Sequence, residues 1–185
     1  MNPFFAVSCG PKTGQRGAVL IMALMFLTLL TLLGVTAMTS STSEEKMARA
    51  TRDYNTAFQA AEAAMRDAEN DINGNGPRNP PISSTGSVFG PLALGGCANG
   101  ACIPPAPLGI PVWEVTANWN NAATYGQFTF AQALPASGPG AVGQAPQYLV
   151  EFLGIVGAQS AYRITARGWG PNSVQIVTLQ EEVIR

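Results

Sequence analysis

Arg16-Gly17-Ala18-Val19-Leu20-Ile21-Met22-Ala23-Leu24-Met25-Phe26-Leu27 decides how this chain is built, and the run continues without a charge through Met38. At ~1.5 Å of rise per residue, a helix from Ala18 to Met38 covers about 30 Å, the thickness of a bilayer's hydrocarbon core. Helical periodicity then runs on through a polar, charged segment to about Ile72, so one helix with an apolar half and a water-facing half is expected. Thr28, Thr31, Thr36 and Thr39 fit the apolar half, because their hydroxyls can bond back to the preceding turn.

Outside that helix, a chain of 185 residues leaves room for one modest globular domain. Charged residues make up 11% and the formal net charge is -1, which gives no basic surface for a nucleic-acid partner. Histidine is absent, and with it the commonest general base, the Ser-His and Cys-His pairs and most zinc or iron sites. Glycine and proline concentrate between Gly74 and Pro146, which predicts loops there.

Of the three cysteines, Cys9 precedes Gly17; Cys97 and Cys102 remain as a pair around an Asn99-Gly100 turn. A disulfide closing this small ring in an oxidising compartment is expected, worth about 2 kcal/mol by chain entropy. Two free thiols are the alternative; a metal site lacks the further Cys or His needed for four ligands. No cofactor is implied.

Residues 1–17 carry Lys12 and Arg16, no acid and no apolar run ahead of Cys9, which excludes a lipoprotein signal. Three readings compete for Ala18 to Met38. One is a secretory signal cut after Val35-Thr36-Ala37, although the apolar run is longer than such signals use. Another is a plain signal anchor. The third is a leader removed ahead of the apolar run, which leaves the helix as the mature N-terminus. Basic residues lie on both sides, with Lys46, Arg49 and Arg52 beyond the run, so the positive-inside rule does not orient it.

From Ser43 the helix turns amphipathic. Met47, Tyr54, Phe58, Ala61, Met65, Ala68 and Ile72 form an apolar stripe, with Arg49, Arg52, Asp53, Gln59, Glu62, Arg66, Asp67 and Glu69 expected on the solvated side. Glu62 and Arg66 stand in the favourable i,i+4 order. Asn73-Gly74-Asn75-Gly76-Pro77 ends the helix. A long Gly/Pro/Ser-rich connection follows to Pro111. Strands are expected at Val112–Ala117, Gln127–Gln132, Gln147–Leu153, Ala161–Arg167 and Ser173–Val183, the last three as an antiparallel meander with one face on the helix.

These residues together resemble the type IV pilins, and within them the PilX-type minor pilins. The likeness rests on Gln15-Arg16-Gly17 before the apolar helix, on Leu29–Met38 running into Glu44-Glu45-Lys46-Met47-Ala48, and above all on Asp53–Glu69. The terminal Tyr162–Gly168 adds to it. The resemblance implies a pilin-like α+β fold: a long N-terminal helix packed on a small antiparallel β-sheet head. It divides the chain into a leader (1–17), a membrane-spanning and filament-core half-helix (18–42), an amphipathic half-helix (43–73) and a β-rich head (74–185).

It further implies that prepilin peptidase cuts after Gly17 and N-methylates Ala18. The subunit would sit in the inner membrane, then pack with the major pilin and other minor pilins through the assembly platform. A PilY-type tip adhesin is a further implied partner, with membrane lipid around the helix before assembly. Most pilins place a glutamate five residues after the cut; here that residue is Met22. A carboxylate in a lipid-facing helix is expensive and persists only where a cation answers it. A subunit with no neighbour above it can lack that charge, so Met22 points to the filament tip and to a role in priming assembly.

A type II secretion minor pseudopilin is the alternative within the same machinery, and a membrane-anchored periplasmic enzyme or sensor domain the alternative outside it. Against the enzyme stand the missing histidine and the lack of any paired-carboxylate or phosphate-cradling frame; adjacent Glu181 and Glu182 point to opposite strand faces. Tyr54, Phe58 and Trp169 are the candidate interface residues. Trp169, between two glycines in an expected turn, is the best exposed of the three tryptophans; packing is the commoner role for Trp113 and Trp119.

Overall fold

The computed structural model describes residues 17–74, 76–83 and 85–185; the leader ahead of Gly17, with Cys9, Lys12 and Arg16, and the capping Asn75 lie outside them. These residues divide into two compact units, with the boundary in the chain between Ala48 and Arg49.

The first unit holds the apolar part of α1, a helix spanning Ala18–Ile72. It contains a window with mean hydropathy 2.7, long and apolar enough to cross a membrane, and none of that window is buried. The hydroxyls of Thr28, Thr31 and Thr39 donate to the carbonyls of Met25, Thr28 and Thr36, each at 2.9 Å. That of Thr36 reaches the carbonyls of Leu32 and Leu33, at 3.1 and 2.9 Å.

The second unit contains the remainder of α1 and the head. Gly74, at φ 71°, turns the chain out of the helix, as its position predicts. Two one-turn helices follow in the head, α2 (Thr85–Val88) and α3 (Thr116–Trp119). Among the described residues there are six strands: β1 (Cys97–Ala98), β2 (Ala101–Cys102), β3 (Ala123–Thr124), β4 (Gln147–Val156), β5 (Gln159–Trp169) and β6 (Ile176–Ile184). The three long strands make the expected antiparallel meander. The sheet as a whole is mixed rather than wholly antiparallel, because β2 joins β4 in parallel while β3 joins the same strand antiparallel.

Two expected strands are absent. Val112–Ala117 is a turn leading into α3, despite its β-branched and aromatic residues. Its carbonyls are satisfied locally instead: the Trp119 indole donates to the Trp113 carbonyl at 2.8 Å and the Asn118 amide to that of Val112 at 3.0 Å. Gln127–Gln132 is a turn too, because it wraps a buried carboxylate of α1, whose Asp67 accepts from the Gly126 amide and the Thr129 hydroxyl.

The main core lies between α1 and one face of the sheet: Ala64, Met65, Ala68 and Ile72 against Tyr148, Val150, Tyr162, Ile164 and Ala166. Ile82 and Phe89, from the connection after the helix, complete it. Alternate residues of β4 face the other way, where Leu149 packs with Cys102, Val112 and Trp119. The fully buried positions on α1 centre on Ala57, Ala60, Ala61, Ala64 and Ala68, so the helix turns its alanines rather than its aromatics to the sheet. The reason is close approach. A Cβ on Gly168 would collide with the backbone of Ala57, Ala60 and Ala61, so only small residues fit this crossing.

Candidate assembly surfaces

The residues at the expected processing junction lie in the open. Gly17 is exposed and Ala18 begins α1. Met22, at 62% exposure, belongs to a band of uncovered apolar side chains that runs from Val19 to Met38. A surface of this kind requires lipid or other apolar helices around it.

In the head, the end of α1 is tied to the loops by two buried carboxylates that the amphipathic pattern did not reveal. Asp67, expected on the solvated side, is 2% exposed, and Asp71 one turn later is also 2% exposed. Asp71 takes a bidentate pair from Arg78, with Nε at 2.7 Å from Oδ1 and Nη2 at 2.6 Å from Oδ2. It also accepts from the Tyr148 hydroxyl at 2.8 Å. The same guanidinium donates to the Asn99 carbonyl at 2.8 Å and lies 3.6 Å from the centre of the Phe128 ring. Burial pushes the Asp67 carboxyl upward, against the lowering effect of its Thr129 and Gly126 hydrogen bonds, and the nearby Asp71 charge adds to the rise. Burial, with Asp71 beside it, likewise holds the Tyr148 phenol above its ordinary value. The signal available in the sequence was the i,i+4 acid pair set among Ala64, Ala68 and Ile72.

Asn99 belongs to the tight hairpin of β1 and β2, in which Cys97 faces Cys102 and the two are joined by a disulfide. Asn99 and Gly100 both have positive φ, 50° and 80°, the conformation an Asn-Gly hairpin turn demands. The hairpin is anchored to β4 by the Val150 amide, which donates to the Gly100 carbonyl at 2.6 Å. Arg78 therefore links the helix end to the cross-linked hairpin.

On the opposite face of the sheet, two arginines of β5 lie beneath two indoles. Arg163 is 5.4 Å from the Trp113 ring and Arg167 is 3.7 Å from that of Trp119. Burial lowers the Arg167 guanidinium from its usual range. Beside Arg163 is Glu151, fully buried, with neither carboxylate oxygen hydrogen-bonded and its nearest cation nitrogen 3.9 Å away. Burial raises its carboxyl; Arg163 opposes the rise and Glu182 reinforces it.

The three candidate interface residues separate. Trp169 is 6% exposed at the end of β5, which extends through the position where a turn was expected; it is a buried side chain and not an open anchor. Phe58 is half-buried against the small cluster of Ala57, Ala61 and Val177. Tyr54 is 47% exposed, stacked on Phe58 with ring centres 6.5 Å apart. Among the described residues, no group of three or more His, Cys, Asp or Glu side chains is placed to hold a metal ion.

Comparison with known proteins returns one family. The PilX N-terminal model matches residues 16–66, a span that begins at Arg16 and covers the apolar helix and most of its amphipathic continuation. No curated protein and no solved structure matches the chain. The N-terminal part of the chain is therefore similar to that of PilX-type minor pilins of type IV pili, and a long N-terminal helix packed on a mixed sheet is consistent with a pilin-like α+β fold.

Proposed function

We propose that this chain is a PilX-type minor pilin that sits at or near the tip of a type IV pilus, in a complex with other minor pilins that primes assembly. The observation that supports the tip reading is Met22, an exposed apolar side chain where most pilins carry a glutamate. In an apolar surround an unanswered carboxylate is costly, so a subunit with none above it gains by lacking the charge. Prepilin peptidase removes the leader after Gly17 and methylates the Ala18 amine. The segment 18–42 then tethers the subunit in the inner membrane, with 43–73 and the head 74–185 in the periplasm, until the assembly platform moves it into the fibre. Its neighbours are the major pilin and other minor pilins, and at the tip a PilY-type adhesin. The work is packing rather than catalysis.

Mass spectrometry of the mature N-terminus tests the first step. A chain starting at methylated Ala18 is expected. The intact precursor as sole species in cells with the peptidase, or a start at Met38, overturns the reading.

A further inference from the structure

β6 bonds to β5 along its whole length, from Trp169 opposite Ile176 to Ala161 opposite Ile184, and the register is unbroken. Among the described residues no strand pairs with its other side, so it is an edge of the sheet. Natural edges are usually blunted by proline, lysine or a bulge, since unpaired backbone groups recruit further strands. The sequence Ile176-Val177-Thr178-Leu179-Gln180-Glu181-Glu182-Val183-Ile184 has none of these. What it has are two acids.

Next to this edge runs a groove of about 380 Å³ between β6 and α1, lined by Glu62, Met65, Arg66, Glu69, Leu179 and Glu181 among others. Met65 and Leu179 give it an apolar floor, and the rim sets three carboxylates against one guanidinium. Arg66 stands 4.0 Å from Glu62, and Glu182 on the other face is held by Arg163 at 2.8 Å. Glu69 and Glu181 have no ion-pair partner among the described residues.

We propose that the β6 edge and this groove receive an extended segment of another protein, which adds as a strand and places a basic side chain between Glu69 and Glu181. Backbone hydrogen bonds to the edge would supply affinity, and the acid-rimmed groove beside it would supply selectivity. The charge decides the occupant. A second copy of this strand, Ile176–Ile184, carries no lysine or arginine and so brings no cation to the acid-rimmed groove. The proposal is independent of the tip reading, since it rests on β6 and the stretch of α1 beside it and not on Met22.

Photo-crosslinking groups placed singly at Thr178 and Gln180 of the full-length protein, in membranes that contain the pilus proteins, test it. The expected result is capture of one other protein, with the two cross-links two residues apart in a single segment, as strand pairing requires. Reversing the rim with Glu69→Lys and Glu181→Lys should lower the yield about tenfold, the effect of one lost charge-assisted contact. Should the reversed variant fail to fold, judged by thermal unfolding, Glu69→Gln with Glu181→Gln replaces it, with a several-fold drop expected. Capture of a second copy, of several unrelated chains or of nothing overturns the proposal, as does a yield indifferent to both charge changes.

Discussion

Gly168 on β5 lies directly against the backbone of Ala61 on α1, with no space between them for a methyl group. Strand and helix backbones meet here almost without side chains. Gly168→Ala is therefore expected to destabilise the head by about 1–3 kcal/mol, the ordinary range for overpacking a filled core. Urea unfolding of the purified protein checks this, and an unchanged midpoint would show that the crossing has slack.

Removing one partner of the Asp71–Arg78 pair should be worse than removing both. Their side chains are 1% and 7% exposed, so Asp71→Ala strands a buried guanidinium at a cost of about 3–5 kcal/mol. Asp71→Leu combined with Arg78→Met should recover part of that loss. A double-mutant cycle read by denaturant unfolding measures the coupling, and strictly additive losses would contradict it.

Glu151 makes the head's stability fall as pH rises. Its folded carboxyl lies above the ordinary value of 4.5, chiefly through burial, so its contribution is complete below 4.5 and disappears as pH climbs through the raised folded value. Asp67 acts with the same sign from 3.8 upward, which makes the comparison with Glu151→Gln the informative one. In a pH series of unfolding midpoints, the wild-type protein should weaken relative to the variant as pH increases. A constant offset would mean that Glu151 does not titrate differently on folding.

Trp169→Ala should act through packing. With the side chain 6% exposed, truncation is expected to lower stability by about 3–5 kcal/mol, as for other large buried aromatics. Thermal unfolding of the variant, run beside co-purification with the minor pilins proposed as its partners, separates the roles: lost association at full stability would restore it as a contact residue.

On the proposed pilin reading, Met22→Glu should impair incorporation into pili, since it sets a carboxylate in the apolar band of α1 with no cation supplied for it. Immunoblotting of sheared pili measures incorporation. Unchanged amounts would remove the support that Met22 gives to a tip position.

What the sequence disclosed depended on the range of the forces involved. The apolar band of α1, its glycine stop, the Asn99-Gly100 turn and the strand-forming runs of β4, β5 and β6 are local patterns, and each is found close to where its period or turn chemistry puts it. The buried face of α1 is not local. Tyr54 and Phe58 continue the apolar period, yet Gly168 selects the alanines, and that choice depends on a strand more than a hundred residues away. Asp67 and Asp71 look like solvated acids until the Gly126 turn and Arg78 are brought to them. Val112–Ala117 has strand-like composition, but Trp119 and Asn118 offer its carbonyls a nearer solution.

The threonines along α1 bear on what the rod can be moved between. Each of their hydroxyl hydrogens is already committed to a carbonyl one turn back, so the outward surface of this stretch is hydrocarbon in all but name. Sliding it out of acyl chains and into a sheath of protein therefore strips no polar atom of its partner. Acyl chains and apolar protein side chains can therefore each cover this stretch without leaving one of those hydroxyls unpaired.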